Sequence, residues 1–125
     1  MQIVKGLFLM LGLFVFSNAV SAQTSAAIIT NVSVDDFKKM NLDDITILDV
    51  RTPGEVQQGA IPGAININLF GDFMNEINKL DKSKTYLVYC RSGRRSANAA
   101  NKMASAGFAK IYNLLGGYNK WSQSK

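Results

Sequence analysis

The sequence predicts an α/β fold, with a mostly parallel central sheet of about five strands and helices on both faces. Short, apolar, β-branched runs fit strands that are buried on both sides. These runs alternate with segments whose apolar residues recur at helical spacing. Because strands that alternate with helices favour a parallel sheet, we expect the functional residues to lie at the carboxyl ends of the strands.

Local signals mark the first elements. Ser33, followed three residues later by Asp36, is a variant of the capping box and predicts the start of a helix. Residues 46–50 form an apolar run that suits a buried strand. Thr52 and Pro53 then provide an N-cap and a first helical residue, so a second helix is predicted there.

The rest of the chain continues the alternation. We expect a turn over 59–63, a strand over 64–67, a helix over 69–80, a strand over 85–89, a helix over 94–106, a strand over 108–114, a tight turn at Gly116-Gly117 and a helix over 118–123.

Residues 1–22 are predicted to be a signal peptide. Lys5 gives a positive start, residues 7–16 are uninterrupted apolar positions, and Val20-Ser21-Ala22 supplies the small residues of a cleavage site. Ten apolar residues are too few for a bilayer, which takes about 20. An uncleaved anchor is the alternative, and the polar Ser17-Asn18 disfavours it. We expect a periplasmic or secreted protein with no stable membrane insertion after cleavage.

One domain is expected after the signal peptide, with residues 23–32 as a flexible lead-in and 33–125 as the folded part. Without Lys5, the chain has 13 basic and 9 acidic side chains, a formal charge of +4. The lysines alternate with acids and no basic run carries interleaved aromatics, so a solvated surface is expected and no nucleic-acid partner. We expect a monomer.

The chain has one cysteine and no histidine. This composition excludes Cys-His and Ser-His-Asp catalysis and any histidine-ligated metal, so no metal site and no cofactor are expected. Exported proteins usually pair their cysteines. A single cysteine therefore indicates a functional thiol or an intermolecular disulfide.

Cys90 directly follows the predicted strand over 85–89, and three of the four arginines lie within the six positions from Cys90 to Arg95. A thiol reacts as the thiolate, which a helix N-terminus, backbone N–H groups and guanidinium charges all stabilise. The loop is therefore predicted to hold a thiolate and to attract an anionic substrate. The alternative is a small buried hydrophobic residue, which would not explain the clustered arginines.

Three motifs resemble those of the rhodanese-like domain family, and the whole set is similar to small periplasmic single-domain thiosulfate sulfurtransferases. They are Asp49-Val-Arg51-Thr-Pro-Gly-Glu55 with Gly59-Ala-Ile61-Pro-Gly63-Ala64-Ile-Asn66, the loop Cys90-Arg-Ser-Gly93-Arg-Arg95-Ser96, and Leu115-Gly116-Gly117-Tyr118 with Trp121. Val56 and Ala60 depart from the family, which usually has an aromatic and a histidine at these positions.

The resemblance implies that Cys90 accepts a sulfane sulfur from a small anionic donor such as thiosulfate. The resulting persulfide passes its sulfur to a thiol or to cyanide. Arg91 and Arg94 would attract the donor, and Arg95 would brace the loop by reaching back to the backbone or to an acid such as Asp49. The backbone N–H groups expected to cradle the sulfur belong to Arg91, Ser92, Gly93, Arg94, Arg95 and Ser96. Asp49, Arg51 and Glu55 are expected to support the site as caps and ion pairs.

Loop length separates this interpretation from phosphatases of related shape, which place five residues between the cysteine and an arginine. Here Ser96 is the sixth residue after Cys90, and the shorter loop favours sulfur transfer over phosphoryl transfer or arsenate reduction. Two other functions stay open: a persulfide carrier or binding module that serves a partner protein, and a catalytically silent scaffold. The intact cysteine and arginines argue against the scaffold.

Overall fold

The computed structural model describes residues 28–125. Ten elements follow one another: β1 (Ile28–Val32), α1 (Val34–Lys39), β2 (Ile45–Asp49), α2 (Pro53–Gln57), β3 (Ile65–Asn66), α3 (Phe73–Ile77), β4 (Thr85–Tyr89), α4 (Arg94–Ser105), β5 (Lys110–Leu114) and α5 (Gly117–Gln123). The predicted signal peptide and the first part of the lead-in, residues 23–27, lie outside the described residues.

The strands form one five-stranded sheet in the order β1-β5-β4-β2-β3, and every described pair is parallel. The predicted α/β fold with a parallel sheet is confirmed. Helices cover both faces of the sheet. Alternate residues of the central strands point to opposite faces, so each central strand contributes side chains to both cores. In β4, Tyr86 and Val88 belong to one buried cluster, whereas Leu87 and Tyr89 belong to the other.

Each face of the sheet has its own core. One cluster packs α3 and α4 against the sheet through apolar residues such as Ile77 and Met103, both fully buried. The other packs α1 and α5 against the opposite face through Phe37 and Trp121. Within the described residues, no helix has the length and apolar character needed to cross a membrane.

The lead-in prediction is wrong for residues 28–32, which form the edge strand β1. They pair in parallel with β5 from Ile28 opposite Lys110 to Val32 opposite Leu114. Val32 is buried in the core beside α1. The polar composition of residues 23–27 predicted a flexible segment. That prediction does not hold for the largely β-branched residues that follow, which form a strand.

The predicted helix over 69–80 is shorter than expected. Residues 68–71 form a turn instead, in which the Asn68 side chain accepts a hydrogen bond from the Phe70 N–H at 3.1 Å. Phe70 is therefore 70% exposed although it fitted the helical spacing. The last strand also starts later than predicted, since the Phe108 N–H caps α4 by donating to the Met103 carbonyl.

Candidate active site

The candidate site lies where β2 and β4 end side by side. Asp49 is in register with Tyr89 at the last pair of these two strands, and the Val50 N–H continues the ladder by donating to the Tyr89 carbonyl at 3.0 Å. Cys90 follows β4 and Arg51 follows β2. Parallel strands therefore place the two predicted motifs at one edge of the sheet, as expected.

The sulfur of Cys90 is buried but hydrogen-bonded. Its residue is 1% exposed, and Sγ accepts from the Gly93 N–H at 3.1 Å and from the Ser96 hydroxyl at 3.5 Å. Burial alone would raise the pKa of the thiol. Hydrogen bonds from the Ser96 hydroxyl and from the N–H groups of Ser96, Gly93 and Ser92 outweigh it, so the pKa of Cys90 lies below its ordinary value.

Glycine at position 93 is required by the backbone of this loop. Gly93 has a left-handed conformation with φ of 105°, and it precedes the first residue of α4. A side chain there would be strained. The left-handed turn aims the Gly93 N–H at the sulfur and brings the first turn of α4, with Ser96, alongside it.

Helix α5 holds the other side of the loop. The Tyr118 N–H donates to the Cys90 carbonyl at 2.8 Å, and the Asn119 N–H donates to the Arg91 carbonyl at 3.0 Å. Gly117 lies so close that a Cβ atom would collide with the Cys90 carbonyl. The sequence predicted only a tight turn at Gly116-Gly117, and it did not predict that Gly117 and Tyr118 support the loop. The two adjacent glycines were the feature of the sequence that could have predicted this close approach.

Arg95 pairs with an acid, as expected, but the acid is Glu55 and not Asp49. Two parallel hydrogen bonds join the guanidinium to the carboxylate, at 2.7 and 2.8 Å. Hydrogen bonds from Arg95 and from Thr52 to the Glu55 carboxylate lower the pKa of Glu55 to about 2. Asp49 is paired with Arg51 instead. The brace therefore joins the start of α4 to α2.

Asp49 and Arg51 form a buried ion pair beneath the site. Arg51 binds both Asp49 oxygens and the Gly59 carbonyl, and its guanidinium lies 4.4 Å from the Tyr118 ring centre. The Tyr89 hydroxyl donates to Asp49 at 2.5 Å, and burial together with Asp49 raises the pKa of Tyr89. This network satisfies the charges of both side chains and fixes the loop after β2.

Arg91 and Arg94 are exposed, and neither makes an ion pair within the described residues. The structure thus gathers Cys90, Gly93 and Ser96 around the sulfur, and it leaves two free guanidinium groups on the loop. Within residues 28–125, no group of three or more metal-ligating side chains is present. The Cys90 sulfur is therefore held by backbone N–H groups and a hydroxyl, in a loop that also carries positive charge.

Comparisons with known proteins agree with this geometry. A relative named "Putative sulfur carrier protein YrkF" from Bacillus subtilis is 36% identical over 100 residues, which cover 78% of this chain and 54% of that protein. The "Putative thiosulfate sulfurtransferase, mitochondrial" of Schizosaccharomyces pombe is 37% identical over 119 residues, covering 78% and 83%. The chain spans about half the length of the first relative and most of the second.

A crystal structure of a rhodanese-related protein from Thermoplasma volcanium superimposes with a TM-score of 0.68 at 29% identity, over 76% of this chain and 92% of that one. The family model described as "Rhodanese-like domain" matches residues 33–124. This chain therefore belongs to the rhodanese-like domain family.

Proposed function

We propose that the protein is a sulfurtransferase that moves a sulfane sulfur from thiosulfate, or a similar small anionic donor, to a thiophilic acceptor through a persulfide on Cys90. One observation carries the proposal. The sulfur of Cys90 is held by the Gly93 N–H and the Ser96 hydroxyl, and these bonds favour the thiolate despite burial. Relatives named as sulfurtransferases support the same chemistry.

In the first half-reaction, the Cys90 thiolate attacks the outer sulfur of thiosulfate. A new S–S bond forms on Cys90, the S–S bond of thiosulfate breaks, and sulfite leaves with its electron pair. The amide cradle would stabilise the anionic persulfide as it stabilises the thiolate. In the second half-reaction, an acceptor attacks the outer sulfur and the electron pair returns to Cys90.

The direct test is an intact-mass measurement of the protein after incubation with thiosulfate. We expect the mass to rise by one sulfur atom, the added sulfur to be removed by cyanide, and the Cys90→Ser variant to gain nothing. A wild-type protein that stays unmodified under these conditions would rule out the proposed reaction with thiosulfate.

A non-enzymatic persulfide carrier is the second candidate, favoured by the likeness to a relative named as a sulfur carrier. Steady-state turnover with thiosulfate and cyanide separates the two functions. An enzyme cycles many times for each Cys90, whereas a carrier stays loaded until a partner protein is added.

Arg91 and Arg94 are proposed to attract the donor, because both are exposed on the loop and lack ion-pair partners within the described residues. Arg94→Ala should raise the KM for thiosulfate by about three- to ten-fold and leave the melting temperature nearly unchanged. Lys102→Ala, on an exposed position further along α4, is the matched control.

Export is also a proposal, and it depends on the composition of residues 1–22. Expression of the full chain in a Gram-negative host, followed by fractionation and N-terminal sequencing, tests it. We expect a periplasmic product that begins near Gln23. A full-length product in the cytoplasm or the membrane would contradict it.

A further inference from the structure

The charged side chains are divided unevenly along this chain. Residues 82–125 carry nine basic and no acidic side chains, whereas residues 28–81 carry four basic and nine acidic ones. The basic part comprises β4, the active-site loop, α4, β5 and α5. Since β4 and β5 are neighbours in the sheet, the positive charge is gathered around these two strands, and the active site lies where β4 meets β2.

Helix α5 carries one of these basic residues, Lys120, beside the turn that precedes the helix. The Lys120 N–H donates to the Gly116 carbonyl at 3.1 Å. Its side chain lies across Gly116, since a Cβ atom added to Gly116 would be 2.7 Å from Lys120 Cβ and 3.3 Å from both Cγ and Cδ. The absence of a side chain at Gly116 therefore leaves the space that the methylene groups of Lys120 occupy.

Gly116 in turn lies against the residue that binds the sulfur. A Cβ atom added to Gly93 would be 3.4 Å from the Gly116 nitrogen, and the Gly93 N–H donates to Cys90 Sγ at 3.1 Å. Helical side chains point towards the N-terminus of their helix, and the N-terminus of α5 is the end that holds the Cys90 carbonyl. The Lys120 side chain therefore runs along α5 towards the active-site loop.

The charge of Lys120 is not neutralised by a neighbour. Lys120 is exposed, and it makes no ion pair among residues 28–125. Arg91 and Arg94 share both properties, whereas Arg95 is paired with Glu55. Three exposed cations without ion-pair partners in the described part of the chain thus lie on or beside the loop. Such charge is available to attract an anion from solution.

We propose that Lys120 is a specificity-determining residue of the first half-reaction, which raises the rate at which doubly charged donors reach Cys90 relative to singly charged and neutral reagents. The inference rests on the proposed function. Lys120 makes no bond to the donor in this role, and sulfur transfer follows the steps given above. Because Lys120 acts on the arrival of the donor, it should change kcat/KM for the donor and leave kcat unaltered.

Two alkylating reagents that differ by one charge test this role without sulfur transfer. Iodoacetate is an anion and iodoacetamide is neutral. Both react with the same Cys90 thiolate, so the pKa of the thiol cancels in the ratio of their rate constants. At an ionic strength of about 0.01 M, Lys120→Gln should lower this ratio about two-fold, and Lys120→Glu, which changes twice the charge, about four-fold. Lys120→Arg should keep the wild-type ratio.

Lys102→Gln is the matched control, since it also removes one positive charge. Lys102 is exposed on α4, about 12 Å along the helix from Arg94. Its ratio should fall by less than about 1.3-fold, and at about 1 M salt all variants should converge on the wild-type ratio. Equal ratios for Lys120→Gln and Lys102→Gln would overturn the proposal, and so would a difference that persists at high salt.

A pair of sulfur donors extends the test to the reaction. Thiosulfate carries two negative charges and methanethiosulfonate carries one, and each donates its outer sulfur. Since the Coulomb energy is proportional to charge, Lys120→Gln should lower kcat/KM about two-fold for methanethiosulfonate and about four-fold for thiosulfate. Equal losses for the two donors would contradict a role through charge, because a structural change in the loop affects both donors alike.

The two measurements separate this inference from the proposed function. A lower alkylation ratio in Lys120→Gln, found in a protein that takes no sulfur from thiosulfate, would keep Lys120 as an anion-attracting residue and reject the reaction. Sulfur uptake from thiosulfate, with the same alkylation ratio in the wild type and in Lys120→Gln, would reject the inference alone.

Discussion

At Cys90, desolvation and hydrogen bonding act on one sulfur atom in opposite directions. Burial favours the neutral thiol, whereas the Ser96 hydroxyl and the N–H groups of Ser96, Gly93 and Ser92 favour the thiolate and prevail. The arginines were expected to contribute to this balance. In the structure, the loop places its amides on the sulfur, and Arg91 and Arg94 are exposed to solvent.

Ser96→Ala removes the hydroxyl that donates to Sγ at 3.5 Å. Losing a hydrogen bond to an anion raises the pKa of Cys90, so alkylation by iodoacetamide at pH 7 should slow about three- to ten-fold and its pH midpoint should move upward. Ser92→Ala is the control, because Ser92 contributes its backbone N–H. An unchanged midpoint in Ser96→Ala would show that the hydroxyl does not stabilise the thiolate.

Gly117→Ala tests the close approach of α5 to the loop. The new Cβ would collide with the Cys90 carbonyl at a residue whose φ is 55°, so the hydrogen bond from the Tyr118 N–H must stretch. We expect a loss of more than about 2 kcal/mol in the free energy of unfolding, measured by urea titration. Gly63→Ala also has a positive φ but open space around it, and it should lose only about 1 kcal/mol.

At the scale of elements, the ion pair between Glu55 and Arg95 fixes α2 against α4. Its side chains are each 22% exposed, so solvent screens it only in part. Glu55 also completes the capping box of α2 with Thr52. One carboxylate therefore both starts a helix and holds the active-site loop in place.

Glu55→Gln isolates the charge of this pair, because glutamine still completes a capping box. We expect a loss of about 1–2 kcal/mol in the free energy of unfolding at pH 7. The pKa of Glu55 is lowered from 4.5 to about 2 in the folded state, so the stabilisation is complete above pH 4.5 and disappears as the pH falls towards 2.

Urea titrations at pH 7 and at pH 2.5 measure this difference, which should shrink at the lower pH. Glu76→Gln is the matched control, since its pair with Lys79 is largely exposed and should contribute less than about 0.5 kcal/mol. A loss for Glu55→Gln that stays the same at both pH values would point to packing rather than charge.

The sequence predicted most of the elements that carry the site, and local signals explain why. The apolar runs of β2 and β4, and the capping residues Thr52 and Pro53, depend on near neighbours alone. The partner of Arg95 could not be predicted in the same way, since Asp49 and Glu55 lie six residues apart in one motif. In the structure Asp49 pairs with Arg51 and Glu55 pairs with Arg95, and the spacing in the sequence does not reveal this choice of partners.

At the scale of the whole molecule, the site depends on an edge strand that the sequence did not predict. β1 pairs with β5, and the Leu115 N–H donates to the Val32 carbonyl at 2.9 Å just before the chain enters α5. Helix α5 then holds the carbonyls of Cys90 and Arg91. β1 therefore supports the active-site loop through β5 and α5, while the hydrogen bonds to the sulfur come from the loop and α4.

A chain that begins at Ser33 should fold less stably than one that begins at Gln23. The shorter chain keeps all of the residues matched by the family model but loses β1 and the burial of Val32, which is 8% exposed. We expect the free energy of unfolding, from urea titration, to fall by about 2 kcal/mol. Cys90 should also react faster with a thiol reagent, because α5 is then less firmly held. A chain that begins at Ile28 retains β1 and should match the longer one, so equal stability of all three chains would mean that β1 is dispensable.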